Sequence, residues 1–247
     1  MLLTEFSTKF DVFYNNILSD QAPGMNSYEK SVVLTDAEYA VVEDIYRGRS
    51  LGTSFDDTED TRRYLSSLIS QVSLSRAVAV NNTVIPDDDF EKICFKLPDD
   101  VLFITYESAA IGGEEMYCVS GKKFKEASVV PCPQDNFWRT VRSPFRGPNS
   151  SRVLKLEGVD AGKNVRIAEL VSKYPVLSYS ARYIRRPKPI ILEDLAENYG
   201  EGVSIEGITA ATECELPDAI HREILLRAVN MAKAIWLSNL NTNNNDR

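Results

Sequence analysis

Between Tyr64 and Val80 the chain reads YLSSLISQVSLSRAVAV, and the fold class turns on the change of period inside it. Tyr64, Leu65, Leu68 and Ile69 recur at three- and four-residue steps, the spacing of one helical face. From Val72 onward the pattern becomes that of a strand. Working back from this point, the chain reads as helix. Phe6, Phe10, Phe13, Tyr14 and Ile17 form one stripe, which Ala22-Pro23-Gly24 breaks. Thr35-Asp36-Ala37-Glu38 fits a capping box and predicts a second helix with Ala37, Val41 and Ile45 inward. In that helix Glu43 and Arg47 can pair at i,i+4 and Gly48 ends it. A third helix is predicted from the acidic run Asp56–Asp60, where negative charge suits the positive end of the helix dipole.

Working forward, KICFKL (92–97), VLFITYES (101–108), MYCVSGKKF (116–124), RVLKLEG (152–158), NVRIAELV (164–171) and PVLSYSARYI (175–184) read as strands. Pro86, Pro98-Asp99-Asp100 and Gly112-Gly113 mark turns between them. A short helix is predicted over Asn136–Val141 with Trp138 buried. A long one follows Pro217, a residue that suits a helix start. Its apolar stripe is Ile220, Ile224, Ala228, Met231, Ala232, Ile235 and Trp236, with Glu223 and Arg227 placed to pair. Helices at both ends around a β-rich body, without βα alternation, predict an α+β fold. The expected division is a helical region from 1–71 and 214–240, a β-rich insertion over 72–213, and a flexible tail at 241–247. Ile220, Ile224, Ala228, Ile235 and Trp236 are the expected buried helix contacts.

The 247 residues, 43% of them hydrophobic, can bury a core without disulfides or a structural metal. No apolar run approaches the roughly 20 residues of a membrane span. The opening MLLTEFSTKF lacks a basic region followed by a long apolar stretch, so it does not read as a signal peptide. The expectation is a soluble protein made inside the cell, with no membrane partner.

Signatures of common chemistry are missing. The sequence contains no G-x-S-x-G, G-x-G-x-x-G or G-x-x-x-x-G-K-[ST]. Cys94, Cys118, Cys132 and Cys214 form no C-x-x-C pair, and the single histidine, His221, is far along the chain from three of them. Zinc sites favour short paired spacings, so these read as buried thiols. Asp87-Asp88-Asp89 lacks the spaced ligands and glycine of a calcium loop. Asp99-Asp100 and Glu114-Glu115 could be paired carboxylates only if the fold set them across a cleft. No catalytic residue, metal or cofactor is assigned.

Charge is the more informative count. Residues 1–136 carry 12 Lys/Arg against 23 Asp/Glu, a balance of −11; residues 137–188 carry 12 against 3, or +9; residues 189–247 carry 4 against 10, or −6. The basic block culminates in RYIRRPKPIIL (182–192), where Pro187 and Pro189 predict a stiff, extended backbone. Two readings of that segment stand: a solvated edge strand guarded by charge, or an interface rich in Arg and Tyr.

FDVFYNNILSDQAPGMNSYEKSVVLT (10–35), SPFRGPNSSRVLKL (143–156), RYIRRPKPIIL (182–192) and CELPDAIHREILLRAVNMAKA (214–234) resemble blocks of neck and tail ring proteins from crAss-like phages. None of the blocks is an active-site motif. The resemblance implies a virion component stacked below the portal, repeated around its axis, with itself, portal protein and other tail ring proteins as partners. Contact with the DNA channel is a further possibility it raises. The charge pattern agrees, because a ring joins two different faces of like subunits and opposite charge orients them. The expected subunit-interface residues are Arg142, Phe145, Arg146, Arg182, Tyr183, Arg185, Arg186 and Lys188. Two alternatives remain: a nucleic-acid-binding protein using 139–188, whose affinity would fall steeply with salt, and an enzyme built on carboxylates.

Overall fold

The second helix, α2 (Ser27–Tyr46), starts well before Thr35 because Asn26 caps it. The Asn26 side chain accepts from the Glu29 amide at 2.8 Å, and the Glu29 carboxylate accepts from the Asn26 amide at 2.9 Å. The capping box is therefore at Asn26 and not at Thr35, nine residues closer to the N-terminus. Thr35 instead lies mid-helix, buried, with its hydroxyl donating to the Ser31 carbonyl at 2.8 Å. Gly48 ends the helix with φ +72°, where a side chain would be strained, and Glu43 pairs with Arg47 at 2.9 Å.

The computed structural model describes residues 1–15, 24–48, 59–84, 90–113, 124–160, 165–200 and 202–245. Ile17, the Ala22-Pro23 break, the start of the third helix at Asp56, Asp87-Asp88-Asp89, Glu114-Glu115, Cys118 and most of the strand predicted at 116–124 lie outside these residues.

The fold is α+β, and the chain divides into two compact units, Met1–Leu68 with Arg186–Arg247, and Ile69–Arg185. In the first, α1 (Leu3–Asn15) buries Phe6, Phe10 and Tyr14. After α2 come α3 (Glu59–Tyr64), the buried Leu65 and a 3-10 turn that buries Leu68. The last helix, α6 (Asp218–Asn245), packs against α1 and α2. It continues as far as Asn245, over 241–245 of the residues expected to form a tail, since extending an existing helix fixes one residue per hydrogen bond gained. Arg227 pairs with Asp44 of α2 rather than with Glu223 of its own helix. Ile69, predicted to face inward from a helix, opens a strand and is 37% exposed.

The second unit is one eight-stranded sheet. Its strands are β1 (Ile69–Ser75), β2 (Asn81–Val84), β3 (Glu91–Lys96), β4 (Val101–Gly112), β5 (Phe124–Pro131), β6 (Arg152–Asp160), β7 (Val165–Ser172) and β8 (Val176–Arg185). They lie in the order β1-β8-β4-β5-β6-β7-β3-β2, all antiparallel except β5 with β6. The sheet curls until its ends meet. Arg76, just after β1, donates to the Val176 carbonyl at 3.0 Å and to Glu91 at 3.1 Å, and Glu91 accepts from the Val176 amide at 3.0 Å. Phe95 of β3 stacks on Tyr179 of β8 with centroids 5.6 Å apart. One apolar cluster inside the curl therefore draws Phe95, Ile111, Val153, Leu170 and Tyr179 from different strands. On the outer face of β6 and β7, Leu154, Leu156 and Val171 are covered by Val141 and Phe137 of α4 (Phe137–Val141). This two-sided cover explains the unbroken buried run Val153–Leu156.

The expected β-rich insertion ran to residue 213, but the sheet unit ends at Arg185. Residues 186–213 belong to the helical unit because hydroxyls of α2 hold their backbone. Ser31 accepts from the Leu192 amide at 3.0 Å, Thr35 accepts from the Ile190 amide at 3.1 Å, and the Tyr39 hydroxyl, which donates to Glu206 at 2.5 Å, lies 3.3 Å from the Pro187 carbonyl. Spaced four residues apart, the three hydroxyls line one helical face. They satisfy an extended segment much as a neighbouring strand would.

Candidate subunit interface

A parallel strand pair cannot be joined by a tight hairpin, so β5 and β6 are linked by a long excursion over Cys132–Ser151 that carries α4. Its backbone is tightly fixed. Gly147 donates to the Ser143 carbonyl at 2.8 Å, and a Cβ there would sit 2.6 Å from the Val141 carbonyl and 2.7 Å from that of Ser143, so only glycine fits. Arg152 donates to the Phe145 carbonyl at 2.9 Å. The fixed turn holds Phe145 outward at 86% exposure. Beside it, Arg142 stacks over the Trp138 ring at 5.4 Å. Trp138, expected to be buried, is 53% exposed; Phe137 and Val141 take the inward positions of this short helix. A surface cleft of about 500 Å³ opens between Asn136, Arg139, Thr140, Ser143 and Arg146.

The RYIRRPKPIIL segment is neither a guarded edge nor a free arm. β8 lies between β1 and β4, so the edge reading fails. Arg182 is exposed, whereas Tyr183 points into the curl, buried, with its hydroxyl donating to Asp100 at 3.2 Å. Strand alternation puts these neighbours on opposite faces, which removes Tyr183 from the exposed candidates. Arg185 is half-buried. Arg186 lies 3.6 Å from Glu206, and Lys188 lies 3.6 Å from Glu215, so both meet acidic groups of their own chain. Elsewhere in the basic block, Lys155 is buried against Glu107 at 2.7 Å, and Arg166 donates to the Val101 carbonyl at 3.0 Å. Arg186, Lys188, Lys155 and Arg166 therefore meet groups of their own chain, while Arg139, Arg142 and Arg146 of the excursion stay exposed.

On α6, Ile220, Ile224 and Ala228 are buried, Trp236 is half-buried and Ile235 is 55% exposed. The stripe is thus buried at Ala232 and exposed at Ile235. His221 is buried, with one ring nitrogen 2.8 Å from the Leu216 carbonyl, the other 2.8 Å from the Met1 amine, and its ring 5.2 Å from that of Phe6. Burial lowers its pKa, so it is held neutral as a structural group.

Glu38 is a functional-looking residue that the cap reading obscured. It is fully buried in α2; one carboxyl oxygen accepts from the Cys214 thiol at 3.2 Å and the other has no partner. Burial pushes its pKa up to about 8, with Glu215 adding to the rise and the Cys214 contact opposing it. A folded pKa above the unfolded one means stability that is fully present below pH 4.5 and lost as pH rises through about 8. Glu38→Gln is expected to abolish this pH dependence and to exceed the wild type in stability at pH 8, read by denaturant unfolding across the window. Equal slopes in both proteins would show that Glu38 carries a charge in the folded state.

Cys94 and Cys132 are buried and Cys214 is half-buried. Among the described residues no group of His, Cys, Asp and Glu could hold a metal ion, and no helix is long and apolar enough to cross a membrane.

Comparison with known proteins gives this geometry a context. Residues 1–246 match one family, described as phage tail ring protein 3/4. The chain is 42% identical over 230 residues to Ring protein 3 of Bacteroides phage crAss001, covering 92% of this chain and 93% of that protein. It is 34% identical over 245 residues to Ring protein 4/5 of the same phage, covering 97% and 95%.

Proposed function

The chain belongs to the phage tail ring protein 3/4 family, and we propose on that premise that its copies form a closed ring in the neck of a short-tailed virion. The ring lies below the portal and links capsid to tail, with other tail ring proteins above or below it. The observation that carries this reading is the extent of the family match, which includes both compact units over residues 1–246. Ring formation is then a property of the whole chain.

The chemistry of the surface suits such a role. The helical unit holds 12 Lys/Arg against 22 Asp/Glu, a net of −10, and the sheet unit 16 against 14, a net of +2. Two units of unlike charge favour contacts between different faces of adjacent copies, the kind that closes a ring. Exposed Arg182, Arg186 and Lys188 join the excursion over Cys132–Ser151 as contact candidates. Added salt is expected to weaken assembly, because exposed charges are screened. Imaging of purified particles with this chain traced tests the placement. A ring of copies between portal and tail is the expected result; copies in the capsid shell or at the tail tip would overturn it.

A further inference from the structure

We infer that the excursion between β5 and β6 of one subunit docks onto the acidic segment 193–215 of the next copy of the same chain, an inference that rests on the ring reading above. The donor surface has the composition of an interface hot spot, with Trp138 and Phe145 exposed among arginines. It is also preorganised. The Gly147 turn and the Arg152 contact to the Phe145 carbonyl fix the loop before any partner arrives, so little ordering entropy is lost on docking. An aromatic ring held 86% exposed on a fixed loop removes apolar area from water only when something covers it.

The chain itself carries the complementary surface. Residues 189–221 contain eight Asp/Glu and no Lys or Arg. Within the unit, Arg186 and Lys188 offset Glu206 and Glu215. Glu197 and Glu213 are exposed, and Tyr199 offers a 38% exposed ring on α5 (Leu195–Tyr199), anchored by its hydroxyl near Glu193 at 3.3 Å. Arginines flanking Phe145 meet carboxylates flanking Tyr199: apolar faces apolar, and positive faces negative. Donor and acceptor are different surfaces of the chain, so in the ring the contact repeats head-to-tail from copy to copy. Bidentate arginine–carboxylate pairing would fix the orientation of each step.

The test uses the purified full-length chain, followed by sedimentation velocity and negative-stain imaging over a range of concentrations. Arg142→Glu with Arg146→Glu reverses the donor; Glu197→Arg with Glu213→Arg reverses the acceptor; a further chain carries all four changes, and Phe145→Ser removes the ring. All positions are exposed, so unchanged melting temperatures confirm intact folding. Wild type is expected to form rings, and each single-sided reversal and Phe145→Ser to raise the concentration of half-assembly roughly tenfold or more. The four-change chain is expected to recover assembly, which a merely structural defect would not do. If wild type stays monomeric throughout, the ring reading falls and takes this docking with it. If wild type forms rings and the reversals do so equally well, the docking alone is wrong. Impairment without recovery in the four-change chain would place the excursion against a different surface and overturn the inference.

Discussion

Lys155→Met is expected to lower the stability of the protein by about 3–5 kcal/mol, the cost of leaving a buried charge without its partner. Lys155 reaches into the curl of the sheet from β6, 2% exposed, and its ammonium lies 2.7 and 2.8 Å from the two oxygens of Glu107 on β4. Tyr179 of β8 donates its hydroxyl to the same carboxylate, and burial together with Glu107 raises the Tyr179 pKa, keeping the phenol a donor. Glu157 adds a third contact at 3.0 Å from a half-exposed position. Removing the ammonium leaves Glu107, 9% exposed, with one hydroxyl in place of a full countercharge. The double variant Lys155→Met, Glu107→Leu is expected to recover part of the loss, because an apolar pair of similar volume avoids both desolvation costs while the buried Tyr179 hydroxyl loses its acceptor. Denaturant unfolding of the two single variants and the double variant gives the coupling directly. Additive losses in the double variant would mean that the pair does not interact as the geometry requires.

Ile224→Asp is the second large effect. Ile224 is fully buried on α6, the helix that packs on α1 and α2. A carboxylate in that apolar position must either lose its charge or open the packing, a penalty on the order of several kcal/mol. Ile235→Asp on the same helix is expected to change stability by less than about 0.5 kcal/mol, since Ile235 is 55% exposed. Thermal melts of the two variants, read side by side, separate the covered half of the stripe from the rest. Similar losses in both would show that the far end of α6 is packed as tightly as its beginning.

Local order was legible in the sequence wherever short-range periodicity decides it. The helix-to-strand change near Val72, the strands β3, β6, β7 and β8, and the long helix after Pro217 all follow from which side chains must share a face. Composition and charge placed the interesting residues in the basic block without saying which of them are exposed. Trp138 illustrates the difference: a five-residue helix with Phe137, Trp138 and Val141 has more apolar residues than inward positions, and only its seat over β6 and β7 chooses between them.

The resembling blocks named a family before any geometry was known, and the full-length match shows that family. Thr35 and the proline segment show where sequence stopped. Thr-x-x-Glu is a valid capping box, but Asn-x-x-Glu upstream caps the helix, and Thr35 serves a different need, holding the Ile190 backbone from 155 positions away. Likewise Pro187 and Pro189 determined that the segment is extended, because proline fixes φ. That it lies against Ser31, Thr35 and Tyr39 instead of projecting as an arm was decided by tertiary structure alone. Backbone amides and carbonyls removed from water must find partners, and the partners here come from a helix far away in the chain. By itself, then, the sequence determined the fold class, the family and most elements, all set by local spacing or shared blocks, while element ends such as those at Ile69 and Asn26 were not. Which charges are buried, which are paired and which face outward depended on long-range contacts, whose energies no local pattern records.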